Sequence, residues 1–107
     1  MLLFKPEHVY PICTGAKTQT RRIWKARRAK VGSIHLGKTM MLSKDFFAKL
    51  EILDVYQERL IDISEEDARA EGYPNSAVYL TKFCEINKLR SLPVDLMVWV
   101  VKFKVIL

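Results

Sequence analysis

The stretch Leu96-Met-Val-Trp-Val-Val-Lys-Phe-Lys-Val-Ile-Leu107 limits the fold more than any other part of the chain. Its β-branched and aromatic residues predict a strand. Up to Val101 every position is apolar, as in a strand covered on both faces. From there Lys102 and Lys104 alternate with Val101, Phe103 and Val105, as in a strand with one wet face. A strand whose environment changes along its length fits a barrel or a strongly curled sheet. The apolar run is also too short for a membrane span, which needs about 20 residues.

The other elements follow from shorter signals. Leu2-Leu-Phe4 reads as a short strand, and Pro6 can open a helix over Glu7 to Thr14 that Gly15 stops. Strands are expected at Gln19 to Trp24, Ser33 to Leu36 and Phe47 to Tyr56. In the last of these, Leu50, Ile52 and Asp54 share one face and Glu51, Leu53 and Val55 the other. Ser64 caps a helix Glu65 to Glu71 with acids in its first turn, ended by Gly72. A longer helix, Ser76 to Leu89, carries Tyr79, Leu80, Phe83, Cys84 and Ile86 or Asn87 on its inner stripe. The order β, α, β, β, β, α, α, β predicts an α+β, β-rich fold, an open mixed β-barrel decorated by two or three short helices.

With 107 residues, half of them hydrophobic, the chain has the size and composition of one ordinary globular domain. The expectation is a single domain over residues 1–107. Met1-Leu-Leu-Phe4 meets Lys5-Pro6-Glu7 with no charged leader or cleavage site, so a cytoplasmic protein with no membrane partner is expected. Cys13 and Cys84 are too few for a disulfide framework and are read as buried free thiols. Two Asn and two Gln among many charged residues point to a heat-adapted source.

Charge is distributed unevenly. The 37 residues from His8 to Lys44 contain nine Lys and Arg and no Asp or Glu, so the net charge of +6 arises in this third of the chain. Lys17, Arg21, Arg22, Lys25, Arg27, Arg28 and Lys30 can neutralise phosphates, and Trp24 among them offers a ring on which a base can stack. The plainer alternative is a solvated basic face paired with the acids of residues 62–71, with Trp24 in the core. Like charges without partners repel, which favours a polyanionic ligand, RNA or a nucleotide.

The loop Gly15-Ala-Lys-Thr-Gln-Thr-Arg-Arg22 lies between a helix stop and a strand, at the rim of the sheet. Here the sequence resembles the ASCH family, whose members have a PUA-like barrel and a Gly-x-Lys-x-x-Thr-x-Arg loop after the first helix. Leu3-Phe-Lys-Pro-Glu-His8, Glu65-Glu-Asp-Ala-Arg-Ala-Glu-Gly-Tyr73 and Val98-Trp-Val-Val-Lys-Phe103 are similar to that family too, in the same order along the chain. The likeness is to small archaeal or bacterial single-domain members. It implies RNA or nucleotide binding in a cleft beneath the rim loop.

One bacterial branch of the family looks like an amidohydrolase that removes the acetyl group of N4-acetylcytidine, using a lysine, a threonine three residues later and a distant glutamate. The matching positions are Lys17, Thr20 and Glu71. A threonine hydroxyl needs a base to become a nucleophile, and a lysine serves only if burial or neighbouring cations such as Arg21 and Arg22 lower its pKa. Glu71 would protonate the leaving amine or position a water, with amides near Gly15 stabilising the oxyanion. Because the loop pattern is common across the family, it does not by itself separate hydrolase from binder.

Other chemistries find little support. His8, His35, Cys13 and Cys84 lack metal-ligand spacing, and no G-x-G-x-x-G is present, so neither metal nor cofactor is expected. His35 is read as a strand histidine, with lining of the cleft as the alternative. Glu65, Glu66 and Asp67 are consecutive on a helix and point apart, which suits capping better than metal binding. Self-association is left open by the sequence.

Overall fold

The computed structural model describes residues 1–106. Its elements are β1 (Leu2–Leu3), α1 (Val9–Thr14), β2 (Gln19–Arg22), β3 (Ile34–Lys38), β4 (Ala48–Arg59), α2 (Glu65–Ala70), α3 (Ser76–Ile86) and β5 (Met97–Ile106). Single 3-10 turns precede α1, at Pro6–His8, and follow β4, at Leu60–Asp62. The fold is α+β and β-rich, an open, curled half-barrel sheet with short helices. The sheet order is β1-β3-β4-β5-β2, parallel only between β1 and β3.

The long central pair β4 and β5 sets the curvature. Their register slips between Ile52 and Asp54, leaving Leu53 as the extra residue of a β-bulge. A bulge bends its strand and increases the local twist. It also resets the alternation: Leu50, Ile52 and Val55 are buried, while Leu53 and Asp54 are exposed. The expectation that Asp54 shares a face with Leu50 and Ile52, opposite Val55, is therefore corrected. A strict period of two cannot continue through an inserted residue.

Two apolar clusters fill the molecule. Leu2, Phe4, Ile12, Leu50, Ile52, Val55, Val101 and Phe103 pack in the hollow of the sheet. Leu60, Ile63, Ala68, Tyr79, Phe83 and Val98 pack beneath α2 and α3. Strand β5 contributes to both, which accounts for its unbroken apolar first half.

Most element ends agree with the sequence reading, and the shifts have local causes. Gly15 takes a left-handed conformation (φ 84°) and stops α1. Ser64 Oγ accepts from the Asp67 amide at the start of α2, and Asn75 caps α3 in the same way, its side chain accepting from the Val78 amide. Helix α3 ends at Ile86, short of Leu89, because Lys88 turns left-handed (φ 57°) and the Leu89 amide reaches back to the Cys84 carbonyl. The closing strand's expected last residue, Leu107, lies outside the described residues. Both cysteines are free, but neither is fully buried as expected: Cys13 is exposed on the last turn of α1 and Cys84 is partly buried. No helix among the described residues is long and apolar enough to cross a membrane.

Candidate functional site

The rim loop is held by backbone bonds from two adjacent residues. The Lys17 amide donates to the Pro11 carbonyl and the Thr18 amide to the Ala70 carbonyl, at 2.9 and 2.7 Å. The second bond ties the loop to the end of α2, bringing Glu71 to Lys17 across 54 positions of sequence. Strand β2 then pairs antiparallel with β5, so its side chains alternate. Gln19 and Arg21 point to one side, with Arg21 Nη1 donating to Gln19 Oε1 at 2.9 Å. Thr20 and Arg22 point to the other, with Arg22 Nε donating to Thr20 Oγ1 at 3.0 Å.

Lys17, Arg21 and Glu71 form a buried ion network. Lys17 Nζ donates to Glu71 Oε1 at 2.8 Å and to the Glu71 main-chain carbonyl at 2.9 Å. Arg21 Nη1 donates to the other carboxylate oxygen, Oε2, at 2.7 Å. Lys17 and Glu71 are only 3% and 2% exposed, so little water compensates either charge. On its outer side Arg21 Nη2 meets Glu58 Oε1 at 3.1 Å and Asp67 Oδ2 at 3.4 Å. Burial lowers the Lys17 pKa below its ordinary value; Glu71 opposes that shift, and Arg22 and Arg21 reinforce it.

This network forms the floor of a cleft of about 460 Å³. Thr20 lies in the same cavity as Lys17 and Glu71. Phe4, Trp24, Tyr73, Tyr79 and Phe83 supply aromatic walls, and the exposed Lys5, Thr39 and Asn87 lie towards solvent. His8 Nε2 and the Tyr73 hydroxyl are hydrogen-bonded at 3.0 Å on one wall. Burial lowers the His8 pKa, helped by the nearby Lys17 charge, and burial raises that of Tyr79, helped by Glu71. A cavity of this size with apolar walls and a few convergent polar groups has the anatomy of a small-molecule site.

The basic segment thus separates into three environments. Lys17 and Arg21 are buried and engaged by carboxylates: from residues 62–71 Glu71 pairs with both and Asp67 with Arg21, and Glu58 of β4, outside that range, also meets Arg21. Arg22 is partly buried at the cleft, its guanidinium 4.8 Å above the Phe4 ring. Lys25, Arg27, Arg28 and Lys30 are exposed, outside the cleft lining, in the connection between β2 and β3. Arg27 also lies 5.9 Å from the Trp99 ring. Trp24 packs on the first core cluster and also lines the cleft.

Two sequence expectations change and a third holds. The amides of Gly15, Lys17 and Thr18 are not available to an oxyanion, because all three bond main-chain carbonyls. His35 is the strand histidine expected: it lies on β3, bonds Ser33 Oγ at 3.2 Å and does not line the cleft. Asp67 is more than a helix-start charge, since its two oxygens accept from Gln19 and Arg21. Apart from Trp24, the aromatic walls are what sequence reasoning misses; Tyr79 and Phe83 are legible as an i, i+4 stripe, but nothing in that spacing says that they also border a cavity.

Comparison with solved structures identifies the architecture. The chain superposes on an ASCH domain from Lactobacillus crispatus JV V101 with a TM-score of 0.67 and 19% identity, covering 91% of this chain and 69% of that one. The chain has the ASCH fold. A protein of the DUF984 family model from Enterococcus faecalis V583 is also similar, with a TM-score of 0.72 and 14% identity, over 94% of this chain and 67% of that one. No family model matches the sequence, and no curated protein matches it. At these identities the likeness concerns the path of the backbone. In the ASCH fold of this chain, the cleft lies where the rim loop, the end of α2 and the face of α3 meet.

Proposed function

We propose that this ASCH-fold protein binds RNA, a nucleotide or a nucleoside by taking a nucleobase into the cleft. The observation that carries this reading is the cleft itself, about 460 Å³, with aromatic walls over a floor of buried hydrogen-bonding groups. An unstacked base needs an apolar surface for its faces and donors or acceptors for its edge. The exposed Lys25, Arg27, Arg28 and Lys30 would hold the flanking phosphates. Titration with short single-stranded RNA at several salt concentrations tests the reading. Affinity should fall steeply with salt, and Trp24→Ala should weaken binding; an affinity indifferent to both would refute it.

A second reading, hydrolysis of an N4-acetylated cytidine, is favoured by one observation: Lys17, Thr20 and Glu71 line the same cavity. Lys17 in its neutral form would take the Thr20 hydroxyl proton as Oγ1 attacks the acetyl carbon. Collapse would break the bond to N4, the leaving amine would take the proton from Lys17, and water would then hydrolyse the acetyl-threonine ester. Glu71 accepts from a cation at each oxygen, so in this scheme it orients Lys17 and the proton to the leaving group comes from the lysine. Incubation with N4-acetylcytidine should release acetate and cytidine in equal amounts, and Lys17→Ala and Thr20→Val should abolish release. No release by the unaltered protein would dismiss this second reading.

A further inference from the structure

We propose that Arg22 and Lys5 form a phosphate subsite inside the mouth of the cleft, so that the ligand is a phosphorylated nucleoside in preference to a free one. The proposal rests on the nucleobase reading above and adds the chemical class of the ligand. It follows from which cations lack partners. Four cations line the cavity, Lys5, Lys17, Arg21 and Arg22, against the single carboxylate of Glu71. Both oxygens of that carboxylate are engaged by Lys17 and Arg21, and Arg21 has Glu58 and Asp67 as well. Among the described residues, Arg22 and Lys5 make no ion pair.

Arg22 is held in place without being neutralised. Its Nε donates to Thr20 Oγ1 at 3.0 Å, its Nη2 to the Leu3 carbonyl at 2.6 Å, and its plane lies over Phe4. Among the described residues Nη1 has no hydrogen-bond partner, and it is not among the fully buried atoms that lack one, so part of it stays accessible. Burial lowers the Arg22 pKa, the mark of a desolvated cation whose charge is incompletely met. A guanidinium fixed by neutral acceptors, with one nitrogen open, is preorganised to receive an anion, and Lys5 beside the same cavity adds a second charge. Two unmatched cations suit a phosphate group, while the aromatic walls suit the base attached to it.

The phosphate can come from a mononucleotide or from within a strand, and the test separates these sources. Calorimetric titration would compare cytidine, cytidine 5′- and 3′-monophosphates, a short oligocytidylate and inorganic phosphate, using the intact chain. At least one phosphorylated ligand should bind about tenfold or more tighter than cytidine, a difference of about 1.4 kcal/mol. Arg22→Gln should close that gap, weakening the phosphorylated ligands about tenfold or more beyond any change in cytidine affinity. Lys5→Ala, on an exposed side chain, should narrow it without risk to folding. Preference for a monophosphate indicates a terminal phosphate, and preference for the oligomer an internal one. Equal binding of cytidine and all phosphorylated forms would overturn the subsite and leave the nucleobase reading standing. Binding of inorganic phosphate without any nucleoside would do the reverse, and binding of none would overturn both. A phosphate preference that persists in both variants would also overturn the proposal.

Discussion

Replacing Glu71 by Gln should be among the most damaging single changes available to this protein. The carboxylate is 2% exposed, lies 2.8 Å from Lys17 Nζ and 2.7 Å from Arg21 Nη1, and also sets the main-chain carbonyl that Lys17 contacts. At an effective dielectric constant of 20, charges at such distances attract with roughly 6 kcal/mol per pair before desolvation is subtracted. Removing one partner of a buried pair typically costs about 3–5 kcal/mol, because the other charge stays buried without compensation. Arg21 retains Glu58 and Asp67, so the cost falls mainly on Lys17. For a domain of this size that corresponds to a fall in Tm of at least about 12 °C, measured by circular dichroism at pH 7. Lys17→Met should cost clearly less, since Glu71 keeps Arg21. The double variant should be less destabilised than the sum of the singles, with a coupling of about 1–3 kcal/mol.

The pH dependence gives an independent check. The folded Lys17 pKa lies below its ordinary 10.5, so between the two values the unfolded chain binds more protons and stability rises with pH. Without Glu71 the folded pKa drops further. The deficit of Glu71→Gln should therefore shrink between pH 7 and 9.5, and that of Lys17→Met should not. The raised pKa of Tyr79 acts in the opposite sense only above about 10, outside this window. A cost below about 1 kcal/mol for Glu71→Gln, or strict additivity in the double variant, would refute the reasoning.

Gly72→Ala should destabilise by about 1–2 kcal/mol, because Gly72 sits at φ 100°, while the added methyl group would make only ordinary contact with Lys17 Cβ at 3.6 Å; urea unfolding measures it. Replacing Lys25, Arg27, Arg28 and Lys30 together by Ala should leave Tm nearly unchanged and make the slope of log affinity against log salt for single-stranded RNA shallower, by about 0.7 for each phosphate no longer neutralised. For His8, whose folded pKa lies below its ordinary 6.5, the unfolded state binds the proton more readily, so stability falls as pH drops below that value. The difference in urea midpoint between the unaltered protein and His8→Asn should therefore change sharply between pH 7 and 5, and a constant difference would exclude this role.

The order of elements was legible because each carries a local signal: Gly15 and Ser64 as stops and starts, the Tyr79 and Phe83 stripe, and the alternating lysines of β5. The bulge at Leu53 was not, since it depends on how β4 fits β5 and leaves no mark in β4's own composition. The same limit applies to the site. Spacing and resemblance picked out Lys17, Thr20 and Glu71, but a charge count treats Lys17, Arg21, Arg22 and Arg28 alike. Their partners separate them. Glu58, Asp67 and Glu71 are brought from β4, α2 and the end of α2, and only the folded chain decides which cation they meet.

The position of the ion network bears on why it exists. It lies where the rim loop and the end of α2 meet, in the cleft whose walls draw on both apolar clusters, Phe4 from the sheet and Tyr79 and Phe83 from α3. A buried salt bridge is a poor source of stability, and apolar residues of similar volume often do as well or better. Its contribution here is positional. Glu71 holds Lys17 on the cleft floor and Arg21 behind it, and Arg21 lies between Thr20 and Arg22 on β2. Fixing Arg21 on one side of the strand fixes Thr20 and Arg22 on the other, where they point together and share a hydrogen bond. The acids that neutralise the buried cations thereby leave Arg22, among the described residues, as the β2 cation without a carboxylate partner.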